Sequence, residues 1–512
     1  MKKTFIIILL LCSKYSIGQQ VPSDPQIRYA LQEFGRNLKS HNVKNIMDMS
    51  SPDLCIAEYR DRALTDVLPQ LVNPVELDTV YFETILKKYN KIYAKQIAVP
   101  KKGPKMISWL RMNNYLALER VGHFEQLMGL ADPVSQELMP AKLLGKAPLK
   151  RASSLMFVAL TVNGSAKSYN FLFDSGAGAT TLSEEMAEEL KLKLNNKTVD
   201  IRTAGNSGQF KTVDTMTLKI AGLNVHAKQA VVADLKNLEK TVGQSMDGII
   251  GFDFLKEYQV ALDLDKAEIS VYTFGFFEDQ DNAHFLPIKL TNNIPLIEAE
   301  LKIDGSNYPS ILLFDTGAGG SIYGNHFLNA YTKGLSQRLK NKRTSSSMDL
   351  TGHITQSQTG GIDGITIAGL TLKNPVLALD LPEVPSTNGF NRHGLLGMTL
   401  IGKFNMIFNY SRNYIQLSPN QNFAIPIVPL YALGIGFSRD GAQFLVNSPA
   451  EDGLAFKAGL RNGDQLLKIN HQVPTSVDQI TQQLRVLAEK DIVLELQRGQ
   501  QKLKVKLEKL KV

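Results

Sequence analysis

The chain repeats itself, and no other feature constrains its fold as strongly. Phe171-Leu172-Phe173-Asp174-Ser175-Gly176-Ala177-Gly178 returns 141 positions later as Leu312-Leu313-Phe314-Asp315-Thr316-Gly317-Ala318-Gly319. Downstream, Gly248-Ile249-Ile250-Gly251 is echoed by Gly394-Leu395-Leu396-Gly397. Each copy then alternates apolar and polar residues in two short stretches, Tyr258 to Leu264 with Glu268 to Tyr272, and Phe404 to Tyr410 with Tyr414 to Ser418, which predicts paired strands. The region from about 152 to 420 is therefore a duplicated, mostly β structure, joined by the polar linker Glu278 to Ala283.

A lone Asp-Ser/Thr-Gly is usually only a turn, because Asp and Gly favour that backbone. Two copies in matching context ask for more. A carboxylate at the end of an apolar strand, followed by Gly, permits a sharp turn with a second segment close against it. Two such turns brought together set two carboxyls side by side, and like charges at about 3 Å share one proton instead of both ionising. One carboxylate then takes a proton from water while its protonated partner polarises a carbonyl, which is hydrolysis by general acid and base.

The paired Phe-Asp-Ser/Thr-Gly-Ala-Gly segments, each with a later apolar-apolar-Gly, resemble the two lobes of the retropepsin and pepsin aspartic proteases. The resemblance implies Asp174 and Asp315 as catalytic carboxyls, Ser175 and Thr316 as hydroxyls bracing the loops, Gly176 and Gly317 within those loops, and Gly251 and Gly397 behind them. Retropepsins assemble the site from two identical chains; here one chain carries both halves. Ala177 and Ala318 follow the motif glycines where pepsins place a hydroxyl donor, and fewer donors to the charged form raise a carboxyl pKa. The expected optimum is nearer neutral than that of pepsin. Gly205-Asn206-Ser207-Gly208 resembles a Gly-rich retropepsin flap and lacks the pepsin Tyr; the second lobe has Thr351-Gly352-His353-Ile354 and Thr359-Gly360-Gly361 in the corresponding region, so either or both hairpins could close over substrate.

Near the end of the chain, Gly434-Ile435-Gly436-Phe437, Ala458-Gly459-Leu460 and Asn462-Gly463-Asp464 resemble a PDZ domain. The resemblance implies that Gly434 to Phe437 present backbone N–H groups to a peptide C-terminus beside an edge strand. Val477, Ile480, Leu484 and Leu487 recur at helical spacing, and Ile480 and Leu484 are the candidates for the other groove wall.

A length of 512 residues exceeds what one core supports. With 43% hydrophobic and 21% charged residues the chain is neither disordered nor fibrous. Lys2-Lys3, the apolar run Phe5 to Cys12 and Ser16-Ile17-Gly18 read as a secretory signal. Leu11 stands where a lipoprotein signal wants a small residue, so plain cleavage is favoured over lipidation. The signal holds three lysines and no acid, so its removal takes the net charge from +8 to +5, too mild for nucleic acid. Cys55 is then alone and reads as a buried thiol, and no further segment is apolar enough to span a membrane.

The architecture expected is mainly β: a signal over 1–18, a small α+β region of open role over 19–150, bilobal aspartic-protease lobes over 151–277 and 284–422, and a PDZ domain over 428–512. The sequence has no His-Glu-x-x-His, no Cys pairs and no Gly-x-Ser-x-Gly, which leaves metal, cofactor and serine chemistry unsupported. The reading is a secreted or periplasmic aspartic endopeptidase acting on peptides or proteins, with a PDZ domain that takes peptide C-termini. The rival is a noncatalytic binding protein using the same groove.

Overall fold

A computed structural model describes residues 22–509 except 58, 89–90, 153, 197, 203–206, 278–282, 349–353, 381–391, 426, 428–434, 441, 448–452, 486 and 488–489. The leader expected over 1–18 and nearly all of the expected linker lie outside the described residues. Strands make up 49% of the described residues and helices 20%, so the protein is mainly β. The chain divides into two compact units, Met1–Met139 and Pro140–Val512.

In the first unit, Ile27, Leu31, Phe34 and Leu38 line one face of the helix Asp24–Lys39 and are all buried, the stripe that helical spacing requires. They join a core shared with a five-stranded sheet ordered Ser50–Cys55, Leu118–Val121, Met106–Met112, Lys91–Pro100 and Leu77–Lys88, parallel only in its first pair. Arg111 lies buried between Glu119 and Glu137, its Nε 3.1 Å from Glu119 Oε2 and its Nη1 2.6 Å from Glu137 Oε2. Cys55 is buried, and its thiol donates to Ala57 O at 3.0 Å.

The first unit ends earlier than the boundary near 150 expected from sequence. The strand Leu143–Ala152 pairs with Glu268–Tyr272 and with Leu155–Val162, which makes it part of the second unit. It opens a six-stranded sheet ordered Leu143–Ala152, Glu268–Tyr272, Gln259–Asp263, Phe404–Asn409, Tyr414–Pro419, His284–Thr291. The first three strands come from one copy of the repeat and the last three from the other. They meet where Val260, Ala261 and Leu262 pair with Phe408, Ile407 and Met406. The four strands expected from alternation lie within a residue of their anticipated ends.

Both copies continue alike. Tyr169–Phe173 runs parallel to Gly248–Ile250, and Ser306–Phe314 parallel to Gly394–Leu396. Each short apolar strand also pairs antiparallel with a third, Thr181–Ser183 in one copy and Ile322–Gly324 in the other. Apolar residues from both copies form one core.

The last part of the second unit is a five-stranded antiparallel sheet, Gly436–Asp440, Gln443–Asn447, Gln465–Ile469, Ile492–Arg498 and Gln501–Leu507, with its own core. The Gly-Asp step there has a structural cause. Gly463 has φ +81°, a conformation costly for other residues. Buried Asp464 accepts from the Arg461 N–H at 2.8 Å and from Arg498 at 2.6 and 2.8 Å.

Candidate active site

The two Asp-Ser/Thr-Gly turns meet through a reciprocal exchange of hydrogen bonds. Ser175 N–H donates to Thr316 Oγ1 at 2.9 Å, and Thr316 N–H donates to Ser175 Oγ at 3.1 Å. Each hydroxyl also donates to the strand end opposite, Ser175 Oγ to Phe314 O at 2.6 Å and Thr316 Oγ1 to Phe173 O at 3.1 Å. Both residues are fully buried, so all four bonds are shielded from water. A motif lacking a hydroxyl at this position could not make this connection.

With the turns clasped, each motif glycine faces the other turn's carboxyl. A Cβ on Gly176 would stand 2.8 Å from Asp315 Cγ, and one on Gly317 would stand 2.5 and 2.7 Å from Asp174 Oδ2 and Oδ1. Both glycines therefore supply clearance. Each also holds its own carboxyl, Gly176 N–H donating to Asp174 Oδ1 at 2.7 Å and Gly317 N–H to Asp315 Oδ1 at 2.9 Å.

The carboxyls of Asp174 and Asp315 are hydrogen-bonded to each other, and their pKa values are displaced unequally. Desolvation raises both. For Asp174 the neighbouring charge of Asp315 and the hydrogen bond to it push the same way, and its pKa is held well above the usual carboxylate range. For Asp315 the bond from Asp174, the Gly317 N–H, the positive charge of Arg392 and the Ala318 N–H all oppose desolvation, and the rise is smaller. Over the intervening pH range the pair holds one proton and one negative charge between its two carboxyls.

The apolar-apolar-Gly strands fix the turns from behind. Asp174 N–H donates to Ile250 O at 2.9 Å, and Asp315 N–H to Leu396 O at 3.0 Å. A Cβ on Gly251 would lie 2.6 Å from Ala177 O, and one on Gly397 2.8 Å from Ala318 O. The next N–H in each copy takes up those carbonyls, Phe252 to Ala177 O at 3.0 Å and Met398 to Ala318 O at 2.8 Å.

Two supports were missed in the sequence. Buried Asp253 accepts from Thr180 N–H at 3.0 Å and Thr180 Oγ1 at 2.8 Å, and at the matching position Thr399 Oγ1 donates to Gly319 O at 3.0 Å. A polar residue two places after the final glycine in both copies was the available signal. Phe408 packs between Phe173 and Phe314, with ring centroids 5.8 and 6.1 Å away, a convergence of strands that no local pattern announces.

Of the flap candidates, Gly205 and Asn206 lie outside the described residues. Ser207 and Gly208 open the strand Ser207–Ile220, which pairs with Val199–Arg202. In the second copy, Thr351, Gly352 and His353 lie outside the described residues, whereas Thr359, Gly360 and Gly361 end the strand Ile354–Gly361. In the last sheet, Gly434 lies outside the described residues, and Ile435 leads into the edge strand carrying Gly436 and Phe437. Ile480 and Leu484 are on the expected helix, Val477–Arg485, but are only 0% and 3% exposed in the core. Both belong to the core of this last sheet. Among the described residues no cluster of three or more His, Cys, Asp or Glu side chains is placed to hold a metal, and no helix is long and apolar enough to cross a membrane.

Residues 158–257 match the family described as "gag-polyprotein putative aspartyl protease". The match spans the first copy from within the strand Leu155–Val162 to beyond Gly251, and supports a retropepsin-like aspartyl protease domain there. No curated protein matches the chain.

Proposed function

We propose that the protein is a secreted aspartic endopeptidase whose single active site is built from both copies of the repeat, with Asp174 and Asp315 activating one water. The observation that carries this reading is the clasp of Ser175 and Thr316, which sets two carboxyls against each other with only glycine between them. Asp315 takes a proton from the water as its oxygen attacks the peptide carbonyl carbon. Asp174 gives its proton to the carbonyl oxygen, so the first product is a neutral gem-diol. When the C–N bond breaks, Asp315 passes its proton to the departing nitrogen and Asp174 recovers one from a diol hydroxyl. Both carboxyls then return to their starting states, and an acid and an amine leave.

The raised pKa values bear on the working range. The singly protonated pair exists between its two titrations, and raising both moves that window toward neutral pH. The last sheet supports a PDZ-like role, since Gly436–Asp440 is its edge strand and an extended peptide adds to such an edge.

Cleavage of a peptide mixture between pH 3 and 8 by the chain lacking residues 1–18 tests the reading beside Asp174→Asn and Asp315→Asn. Each substitution is expected to lower kcat/KM by on the order of 10²- to 10⁴-fold, the scale of general acid and base contributions. Full activity in either would place the chemistry elsewhere, and an optimum below about pH 3 would contradict the upward-shifted pair.

A further inference from the structure

Four residues ahead of each candidate catalytic carboxyl, the backbone is anchored by the same three-bond pattern but by different chemistry. In the first copy, Asn170 N–H donates to Asp247 Oδ2 at 2.7 Å, Asp247 N–H to Asn170 O at 2.9 Å and Ser183 N–H to Asp247 O at 2.8 Å. In the second, Ile311 N–H donates to His393 Nδ1 at 3.0 Å, His393 N–H to Ile311 O at 2.8 Å and Asn325 N–H to His393 O at 3.1 Å. Asp247 immediately precedes Gly248-Ile249-Ile250 and His393 immediately precedes Gly394-Leu395-Leu396. A carboxylate and an imidazole thus occupy one position of the repeat, each accepting from the strand that ends at the carboxyl.

The two acceptors respond differently to acid. A carboxylate stays an acceptor down to about pH 4, whereas imidazole Nδ1 accepts only while the ring is neutral and carries its proton on Nε2. Once protonated, Nδ1–H would oppose the Ile311 N–H. We infer that His393 is a positioning residue for Asp315, holding its strand while neutral and releasing it on protonation, so that mild acid loosens the second half of the site and leaves the first half held.

The ring's surroundings favour the neutral form. Tyr331, from the helix His326–Tyr331, stacks on His393 with centroids 5.0 Å apart and planes 11° from parallel. Tyr308 meets Tyr331 edge-on at 6.1 Å, and the Arg338 guanidinium lies over Tyr308 at 5.4 Å. Arg392 is the adjacent charge along the chain, its carbonyl taken by Asn325 Nδ2 at 2.7 Å. Burial lowers the His393 pKa from its ordinary value. Between the ordinary value near 6.5 and the lowered one, the unfolded chain binds more protons than the folded one. Stability from this contact is therefore complete above the ordinary value and is lost as the pH falls through the lowered one.

This inference rests on reading the two copies as one hydrolytic site, and its test separates the two ideas. Thermal unfolding and peptide cleavage are followed from pH 7.5 to 4.5 for the unmutated chain, His393→Asp and His393→Asn. Asp restores the acceptor of the first copy, and Asn offers an acceptor that does not titrate. The acid-side loss of midpoint and cleavage is expected to move down by on the order of 1 to 2 pH units with Asp, and to flatten with Asn. The unmovable result, one acid limb shared by all three proteins, would overturn the inference. A His393-dependent unfolding shift in a protein that cleaves nothing would uphold it and sink the enzymatic reading alone. If the variants fail to fold, ring ¹⁵N spectra of the unmutated chain at pH 7.5 decide, with Nδ1 expected unprotonated and a protonated Nδ1 contradicting the proposal.

Discussion

Gly176 and Gly317 show how little room separates the two carboxyls. Neither has the positive φ that would demand glycine for backbone reasons; each is small because the opposite Asp occupies the space a Cβ would take. This separates geometry from folding. Gly317→Ala should keep its backbone, displace the Asp174 carboxyl and weaken the bond between the two acids. A misplacement of about 1 Å at reacting groups costs on the order of 10²-fold, so kcat/KM should fall at least that far while the unfolding midpoint changes little. Kinetics and a melting curve on the same preparation check this, and unimpaired cleavage would show that the carboxyls have slack this arrangement denies. The Asp-Ser/Thr-Gly triplets were legible because a duplicated rare triplet escapes the explanation that serves a single turn. His393 was not legible, because a lone histidine before a glycine resembles any other until its ring nitrogen is seen against Ile311 N–H.

Between elements, the clasp joins two strand ends that lie far apart in the chain. Thr316→Val keeps the shape and removes the hydroxyl, leaving Ser175 N–H without its acceptor and Phe173 O without its donor. A buried backbone group left unpaired costs about 1–3 kcal/mol, so the two together should lower stability by several kcal/mol at most. Thr316→Ser retains both bonds and should recover most of that loss. Urea unfolding of the three proteins checks it, and equal midpoints for Val and Thr would mean that the clasp contributes no stability. Strand positions here followed from alternation, since a period of two survives whatever the partner strand is. Helical spacing at Ile480 and Leu484 predicts the helix that forms, and both side chains are buried in the core of the last sheet. Apolar periodicity marks the side a helix buries, and in a small sheet-and-helix unit that side is the core.

At the scale of the whole chain, the sequence repeat locates the duplicated region but not its true edge, because Leu143–Ala152 precedes the motifs and declares itself only by pairing. Its strand closes one side of the six-stranded sheet, as His284–Thr291 closes the other. The first unit has a separate sheet and a separate core, so removing it should cost the second no strand pairing. A chain starting at Pro140 is therefore expected to fold, remain dispersed and cleave with the specificity of the longer protein. A chain starting at Arg151, the edge that composition and repeats alone suggest, would leave Glu268–Tyr272 with unpaired N–H and C=O groups along a new sheet edge. Such an edge recruits other chains, so this shorter protein should associate on light scattering and melt lower. Equal dispersity and equal midpoints would mean that the sheet tolerates the loss of an outer strand, and that the second unit is held chiefly by the pairing of Gln259–Asp263 with Phe404–Asn409.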